Sequence, residues 1–347
     1  MMKITMDEVA KRAGVSKTTV SRIINGNYSH VNEETKKRVM KVIEELNYRP
    51  NAVAKSLKQM KTNVIGIVLS NLQNPFWSQV LEGVEDTCRA QGYNLMICNS
   101  NDKSELEVEH IEGLRLKQVD GIIVNPTMKN KEMFHSLVDS GFPIIAINRK
   151  IEGVPIDTVV VDNVKGAYLA VEHFIQIGKK SVAIMVYPPS GISPRLERIE
   201  GYRQSLARNN LNVNENLIRV IDEERGGAKQ EVKKLLSQRE RPDAIFSTNN
   251  MMTLEILEGI KELGLSVPED VSLIGYDETV WSQHLNPPLT TVSQPSYKMG
   301  ELAAGKLIEA LKSKQKKQAT IDSLEPSLII RQSCQLKEET GYSKGGV

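Results

Sequence analysis

The sequence predicts a small all-α head followed by a larger α/β body built on parallel sheets. Three observations support this. Residues 4–49 hold three short amphipathic segments, with Gly14-Val15-Ser16 between the first two. Beyond residue 61, continuous apolar runs alternate with amphipathic stretches, the pattern of parallel strands covered on both faces. The charge is also divided. Residues 1–61 carry 13 basic and 6 acidic side chains and the remainder 32 and 37, giving a head at +7 and a body at −5. A cationic head on a mildly acidic body points to a head that meets a polyanion.

In order along the chain, Asp7 to Ala13 places Val9, Ala10 and Ala13 at helical spacing. Gly14 permits a sharp turn, and Ser16 can cap the helix that follows. That helix, Lys17 to Asn25, turns Val20 and Ile23/Ile24 inward and Lys17, Thr18, Ser21 and Arg22 outward. A third, Glu33 to Leu46, aligns Val39, Val42, Ile43 and Leu46 on one face. Two helices joined by a tight glycine turn, the second polar outside, match a helix-turn-helix. The second helix is then expected in the major groove of double-stranded DNA, with Lys17, Thr18 and Arg22 reaching base edges. Thr5, Ser16, Ser21, Asn25 and His30 are expected to bond phosphates and fix register. The plainer alternative is a solvated helical bundle whose charge is incidental.

The segment Tyr48-Arg49-Pro50-Asn51-Ala52-Val53-Ala54-Lys55-Ser56-Leu57 closely resembles the hinge helix of the lactose-repressor (LacI/GalR) family. The stretch from Ile4 to Arg22, ITMDEVAKRAGVSKTTVSR, is similar to that family's headpiece almost residue for residue, and the resemblance continues to about residue 333. It implies a homodimer whose paired hinge helices, residues 51–58, lie in the minor groove of a near-palindromic operator. Asn51 and Ala54 would face that groove, and Leu57 would be the wedge that kinks the central step. Arg22 matches the family's base-reading residue, whereas Lys17 and Thr18 fall at its variable specificity positions.

In the body, strands are expected at Val64–Leu69, Leu95–Cys98, Gly121–Val124, Ile144–Ile147, Val182–Val186, Ala244–Phe246 and Val271–Ile274. Helices are expected at Phe76–Ala90, Glu105–Lys117, Lys165–Ile177, Arg198–Arg208, Lys229–Leu236 and Met251–Leu263. Ligands of open parallel sheets bind outside the carboxyl ends of the strands. Those ends carry Asn74, Asn125, Asn148 with Arg149, Asn249 with Asn250, Asp277 and Gln294, and Phe76 or Trp77 offers a flat apolar face to a sugar ring. Singly, each Asn also reads as a turn residue.

The resemblance extends to periplasmic sugar-binding proteins. The implied architecture is an N-terminal all-α helix-turn-helix headpiece with a hinge helix, then an α/β two-lobed periplasmic-binding-protein-like core of two parallel doubly wound sheets. The implied boundaries are 1–49 for the headpiece, 50–61 for the hinge helix and linker, 62–333 for the effector-binding and dimerisation core, and 334–347 for a flexible tail. Within the core, one lobe takes about 62–160 plus 293–320 and the other about 161–290 plus 321–333. Asn74-Pro75-Phe76-Trp77 resembles the first-strand motif of the ribose-binding group, and Asn125, Arg149, Arg198, Asn249, Asp277 and Gln294 match ligand-contacting positions. Where ribose-type members usually have Asp before the Arg, this chain has Asn148. With Arg149, Arg198 and nearby Arg195 retained, the pocket reads as more cationic. A sugar acid such as gluconate, 2-keto-3-deoxygluconate or a hexuronate is therefore expected. The alternative is that Arg195 and Arg198 pair with Glu197 or Glu200.

Other classes are excluded by what the sequence holds. With 40% hydrophobic and 25% charged residues, 347 residues suit two or three folded domains and not a disordered chain. No apolar run approaches the roughly 18 residues of a membrane span, and the N-terminus does not read as a secretory signal. A cytoplasmic protein with no membrane partner is expected. Cys88, Cys98 and Cys334 are far apart without CxxC spacing and read as reduced thiols. No catalytic residue set, metal site or cofactor is expected, because phosphate-loop, dinucleotide, zinc-protease and nucleophile-elbow motifs are all missing. The five histidines are dispersed. The run Lys312 to Lys317 reads as an exposed helix end, and the tail has no leucine heptads for tetramer formation. Two other roles remain distinguishable by experiment: a transport protein with the same body, and an enzyme acting on a sugar. A corepressor or phosphoprotein partner in place of an inducer, or a neutral sugar such as ribose, is the rival within the regulator reading.

Overall fold

A computed structural model describes residues 4–48, 61–313 and 318–334. The expected hinge helix with Asn51, Ala54 and Leu57, most of the 312–317 basic run and nearly all of the tail lie outside the described residues. The chain divides into two compact units, Met1–Thr62 and Asn63–Val347. No helix among the described residues is long and apolar enough to cross a membrane.

The first unit is three helices, α1 (Met6–Ala13), α2 (Lys17–Ile24) and α3 (Glu33–Glu45). Each begins at a residue whose side chain accepts from a backbone N–H of the first turn: Thr5, Ser16 and Asn32. Gly14 closes α1 at φ +64, a conformation cheap only for glycine, and thereby sets the tight α1–α2 turn. Val9, Ala13, Val20, Ile23, Val39 and Val42 form the core, and Arg38 Nε donates to the Ala13 carbonyl at 3.0 Å, tying α3 to the turn.

The second unit contains two six-stranded sheets in the orders β11-β5-β4-β3-β1-β2 and β12-β10-β9-β8-β6-β7. The strands of the first sheet are β1 (Val64–Leu69), β2 (Asn94–Asn99), β3 (Gly121–Val124), β4 (Ile144–Ile147), β5 (Asp157–Val161) and β11 (Ile321–Leu324), all parallel. The second holds β6 (Val182–Val186), β7 (Ile218–Val220), β8 (Ala244–Ser247), β9 (Ser272–Tyr276) and β10 (Thr290–Ser293) in parallel, with β12 (Ser327–Ile329) antiparallel at the edge. Helices α4 (Phe76–Ala90), α5 (Ser104–Leu116), α6 (Lys131–Asp139) and α11 (Ser296–Lys312) belong to the first lobe. The second lobe takes α7 (Asn163–Gln176), α8 (Ser193–Arg208), α9 (Gly227–Leu236) and α10 (Asn250–Glu262). Each sheet has a separate apolar cluster on each face, so the central strands are buried on both sides.

One expectation is corrected. Ile321–Leu324, assigned from sequence to the second lobe, pairs in parallel with β5 in the first sheet. Thr320 secures that register, because its N–H and hydroxyl both reach Asp157 Oδ1 at 2.9 Å. The chain therefore crosses between the lobes after β5, after β10 and at Glu325-Pro326.

Helices α4 and α11 touch backbone to backbone through a glycine on each. A Cβ on Gly83 would collide with the Tyr297 carbonyl, and one on Gly300 with the Val80 carbonyl. Gly300→Ala is expected to destabilise the body by about 1–3 kcal/mol, the usual cost of overpacking. Gly305→Ala, on the same helix but facing open space, should instead be neutral or stabilising by up to about 1 kcal/mol. Denaturant midpoints of the two variants check the contrast.

Candidate functional site

In the head, Lys17, Thr18, Arg22, Asn25 and His30 are exposed and Ser21 is half-buried. Arg22 makes no ion pair with a described residue, whereas the Lys17 ammonium bonds Asp7 at 2.7 Å. Thr5 and Ser16, expected to bond phosphates, are committed as helix caps, and Asn25 Nδ2 donates to the Ser21 carbonyl at 2.7 Å. Among the described residues, α2 thus presents an ammonium at its start held by a carboxylate across the turn and, in its last turn, a guanidinium with no ion pair.

In the body, the strand ends of the two sheets meet across the lobes. Asn250 Nδ2 of the second lobe donates to Asn74 Oδ1 of the first at 2.8 Å. Lys150 Nζ pairs with Glu197 at 2.6 Å, and the Lys150 N–H reaches Ser193 Oγ at 3.0 Å. Arg195 lies 3.8 Å from Asp102.

The second-lobe side of this region centres on Asp277, buried after β9 at φ +76. Its carboxylate accepts from Gln294 Nε2 and, at 3.4 Å, from Asn250 Nδ2. Burial pushes the Asp277 carboxyl up, while Arg198, Gln294 and Asn74 oppose that shift. Arg198 stacks on the Tyr276 ring at 3.6 Å and donates to Asn163 Oδ1 at 3.0 Å and to the Thr248 carbonyl at 2.6 Å.

The first-lobe side centres on Arg149, which is 5% exposed. Its two terminal nitrogens bond the two carboxylate oxygens of Asp102 at 2.6 and 2.9 Å, and Nη1 also reaches the Pro126 carbonyl at 2.9 Å. The following loop is pinned by Glu107, a fully buried carboxylate that accepts from Thr127 N, Thr127 Oγ1 and Asn130 Nδ2 at 2.7–2.8 Å. Burial raises the Glu107 pKa against these bonds and the Arg149 charge. Arg195 pairs with Glu223 at 2.6 Å and donates to the Pro188 carbonyl at 2.8 Å; burial lowers its pKa.

Of the positions expected to contact a ligand, Asn74, Asn125, Arg149, Arg195, Arg198, Asp277 and Gln294 lie in these networks or at the adjoining strand ends. The other four have local structural roles. Phe76 and Trp77 are 6% and 3% exposed and stand edge-to-face, 4.9 Å apart, in the first-lobe core, because the opening turn of α4 packs on the sheet. Asn249 is the N-cap of α10, its side chain accepting from Met251 N and Met252 N. The amide turned inward is that of Asn250, 1% exposed. Asn148 ends β4 at φ +67, where Asn is tolerated, and its backbone N–H pairs with the Val159 carbonyl. Arg195 and Arg198 do not pair with Glu197 or Glu200; Glu197 goes instead to Lys150 and Asn163. Sequence reasoning missed Asp102, Glu107 and Asn163. The consecutive turn formers Asn101-Asp102 after β2 were the available signal for the first.

Six buried side-chain atoms have no hydrogen-bond partner among the described residues, and four belong to this region: Asn125 Oδ1, Arg149 Nε, Asn250 Oδ1 and Gln294 Oε1. Three acceptors and one donor at strand carboxyl ends of both lobes suit a ligand whose groups both give and take hydrogen bonds. No group of three or more His, Cys, Asp or Glu among the described residues is arranged to hold a metal ion.

The comparisons with known proteins follow the two units. Residues 5–51 match the model of bacterial regulatory proteins, lacI family, and residues 171–334 that of the periplasmic binding protein-like domain. The Probable HTH-type transcriptional regulator EndR of Paenibacillus polymyxa is 38% identical over 336 residues, covering 95% of this chain and 96% of that protein. The lac repressor dimer bound to operator and the anti-inducer ONPF is similar at TM-score 0.86 and 27% identity, over 96% of this chain and 100% of that one. A complex of the transcriptional regulator CelR with cellobiose is similar at TM-score 0.71 and 28% identity, over 95% and 99%.

The two adjacent asparagines should separate by substitution. Asn249→Ala should cost about 1 kcal/mol of stability through loss of the cap, with ligand affinity little changed. Asn250→Ala should weaken ligand binding tenfold or more; paired denaturation and calorimetry check both. Asp277 gives a pH dependence. With its pKa raised in the folded body, the native state binds more protons than the unfolded chain between the ordinary and raised values. Stability conferred relative to Asp277→Asn should therefore fall as pH rises above the ordinary carboxylate range, read as the difference in Tm between wild type and variant.

Proposed function

The chain belongs to the lacI family of bacterial regulatory proteins, and from that premise we propose that it represses carbohydrate-catabolism genes by binding a palindromic operator as a homodimer and responds to a sugar acid held between its lobes. As a member of that family it is a DNA-binding transcriptional regulator and not an enzyme. The observation that carries the effector reading is the set of four unpartnered buried polar atoms on Asn125, Arg149, Asn250 and Gln294. Sugar hydroxyls act as donor and acceptor at once and can answer all four. Arg149, Arg195 and Arg198 supply guanidinium donors, for which a ligand acid can compete with the partly exposed carboxylates of Asp102 and Glu223 as a neutral sugar cannot.

On the DNA side, Arg22 reads a base edge, Lys17 and Thr18 set the outer specificity, and Asn51, Ala54 and Leu57 act in the minor groove. Lys17 gives up Asp7 to do so, at small cost because that pair is exposed. Dimerisation is supported by large apolar side chains left on the surface of the body: Ile97, Leu196, Val220 and Val280 are 47–82% exposed. A cytoplasmic location goes with this reading, since an operator-binding regulator works on chromosomal DNA. The effector lowers operator affinity by favouring the lobe arrangement that is incompetent for DNA.

The test is an operator gel shift with and without D-gluconate, 2-keto-3-deoxygluconate, D-glucuronate, D-glucose and D-ribose. Release by an acid and by neither neutral sugar is the expected result. Release only by a neutral sugar overturns the acid reading, and tighter binding overturns induction in favour of a corepressor. Salt should weaken the complex steeply, as phosphate contacts require.

A further inference from the structure

We propose that the Asp102 carboxylate is an internal stand-in for the effector's acid group, occupying the anion subsite on Arg149 until a ligand carboxylate displaces it. This rests on the sugar-acid reading of the same cleft and says how the acid is selected there.

The two members of the pair are held very differently. Arg149 is fixed: its side chain is 6% exposed, Nη1 is also bound to the Pro126 carbonyl, and the loop behind that carbonyl is anchored on buried Glu107. Asp102 is a quarter exposed and sits in a bend where Asn101 and Asp102 both adopt left-handed backbone, at φ +49 and +58. Among the described residues its carboxylate hydrogen-bonds or ion-pairs only with Arg149 and Arg195. The guanidinium is therefore permanent furniture of the cleft, and the carboxylate is the part that can leave.

The geometry already present is that of a bound acid. Both Asp102 oxygens meet both terminal nitrogens of Arg149, the two-pronged arrangement an arginine makes with any carboxylate. Arg149 Nε is buried and has no partner among the described residues, so that edge is available to a neighbouring hydroxyl of the incoming ligand. Arg195 approaches the same carboxylate from the opposite lobe. A ligand acid taking this place would touch both lobes, and Arg149 would never be left as an unpaired buried charge during the exchange. A neutral sugar offers the fork only single hydroxyl acceptors and no negative charge, so it does not compete with Asp102 for the paired nitrogens. Asp102 would thus set the concentration at which an acid is sensed and reject uncharged analogues.

Asp102→Gly tests this, because glycine accepts the left-handed backbone without strain and vacates a space the size of acetate. Acetate should raise the Tm of Asp102→Gly saturably, acetamide should not, and wild type should respond to neither. By calorimetry, D-gluconate should bind Asp102→Gly at least tenfold more tightly than wild type, with D-glucose unchanged. Acetate acting no better than acetamide, or gluconate binding more weakly to the variant than to wild type, would overturn the stand-in role. Selective stabilisation of the variant by acetate with no sugar acid bound by either protein would uphold the subsite and retire the sugar-acid effector.

Discussion

A charge taken out of water must be answered by nearby polar groups, and at Asp277 that requirement organises the space between the lobes. The carboxylate is sealed at the end of β9, so it draws Gln294 from the end of β10 and Asn250 from the start of α10, and it faces Arg198. Asn250 can turn inward because Asn249 has taken the capping duty. With its amide committed there, Asn250 reaches Asn74 in the other lobe. Removing the carboxylate from this chain would leave amides and a guanidinium facing one another with no anion among them.

The two halves of the site solve the same problem with different exposure. On the second-lobe side, Arg198 is closed in by Tyr276, Asn163 and the Thr248 carbonyl, and Asp277 is closed in with it. On the first-lobe side, Arg149 is just as buried, but its carboxylate partner is a quarter exposed. An enclosed guanidinium and carboxylate, and an ion pair whose carboxylate is partly exposed, therefore sit on opposite walls. The head has its own economy. Its hydroxyl and amide side chains at Thr5, Ser16 and Asn32 are spent on starting helices, so the alignment of α2 is built in by local bonds and the outward charges need only find DNA.

Most of the body could be read from sequence wherever a strand is buried on both faces. β1, β3, β4 and β6 are unbroken apolar runs and begin and end at the residues expected. β11, Ile-Asp-Ser-Leu, is an edge strand with alternating exposure, and its partner lies 163 residues earlier, so its lobe could not be read from its own residues. In the candidate site, the strand-end rule singled out Asn74, Asn125, Arg149, Asp277 and Gln294, which the structure gathers at adjoining strand ends, because the rule depends on topology alone. It could not choose between Asn249 and Asn250, which differ only in which one a helix start consumes. Phe76 and Trp77 went to the core because a ring that stacks on a sugar and a ring that packs on a sheet have the same local sequence. Asp102 was invisible because its meaning comes from an arginine 47 residues away.

The paired glycines of α4 and α11 carry one more consequence. The first lobe closes only when a helix made after the whole second sheet returns to lie against α4, and its last strand, β11, comes later still. On the ribosome, the head has all of its residues early, while the first sheet must wait with an open edge for more than 150 residues of intervening chain. No single cut of the polypeptide frees either lobe whole. The body is thus one object in the chain's connectivity, and a chain cut short before β11 would keep the head but lack part of the first sheet.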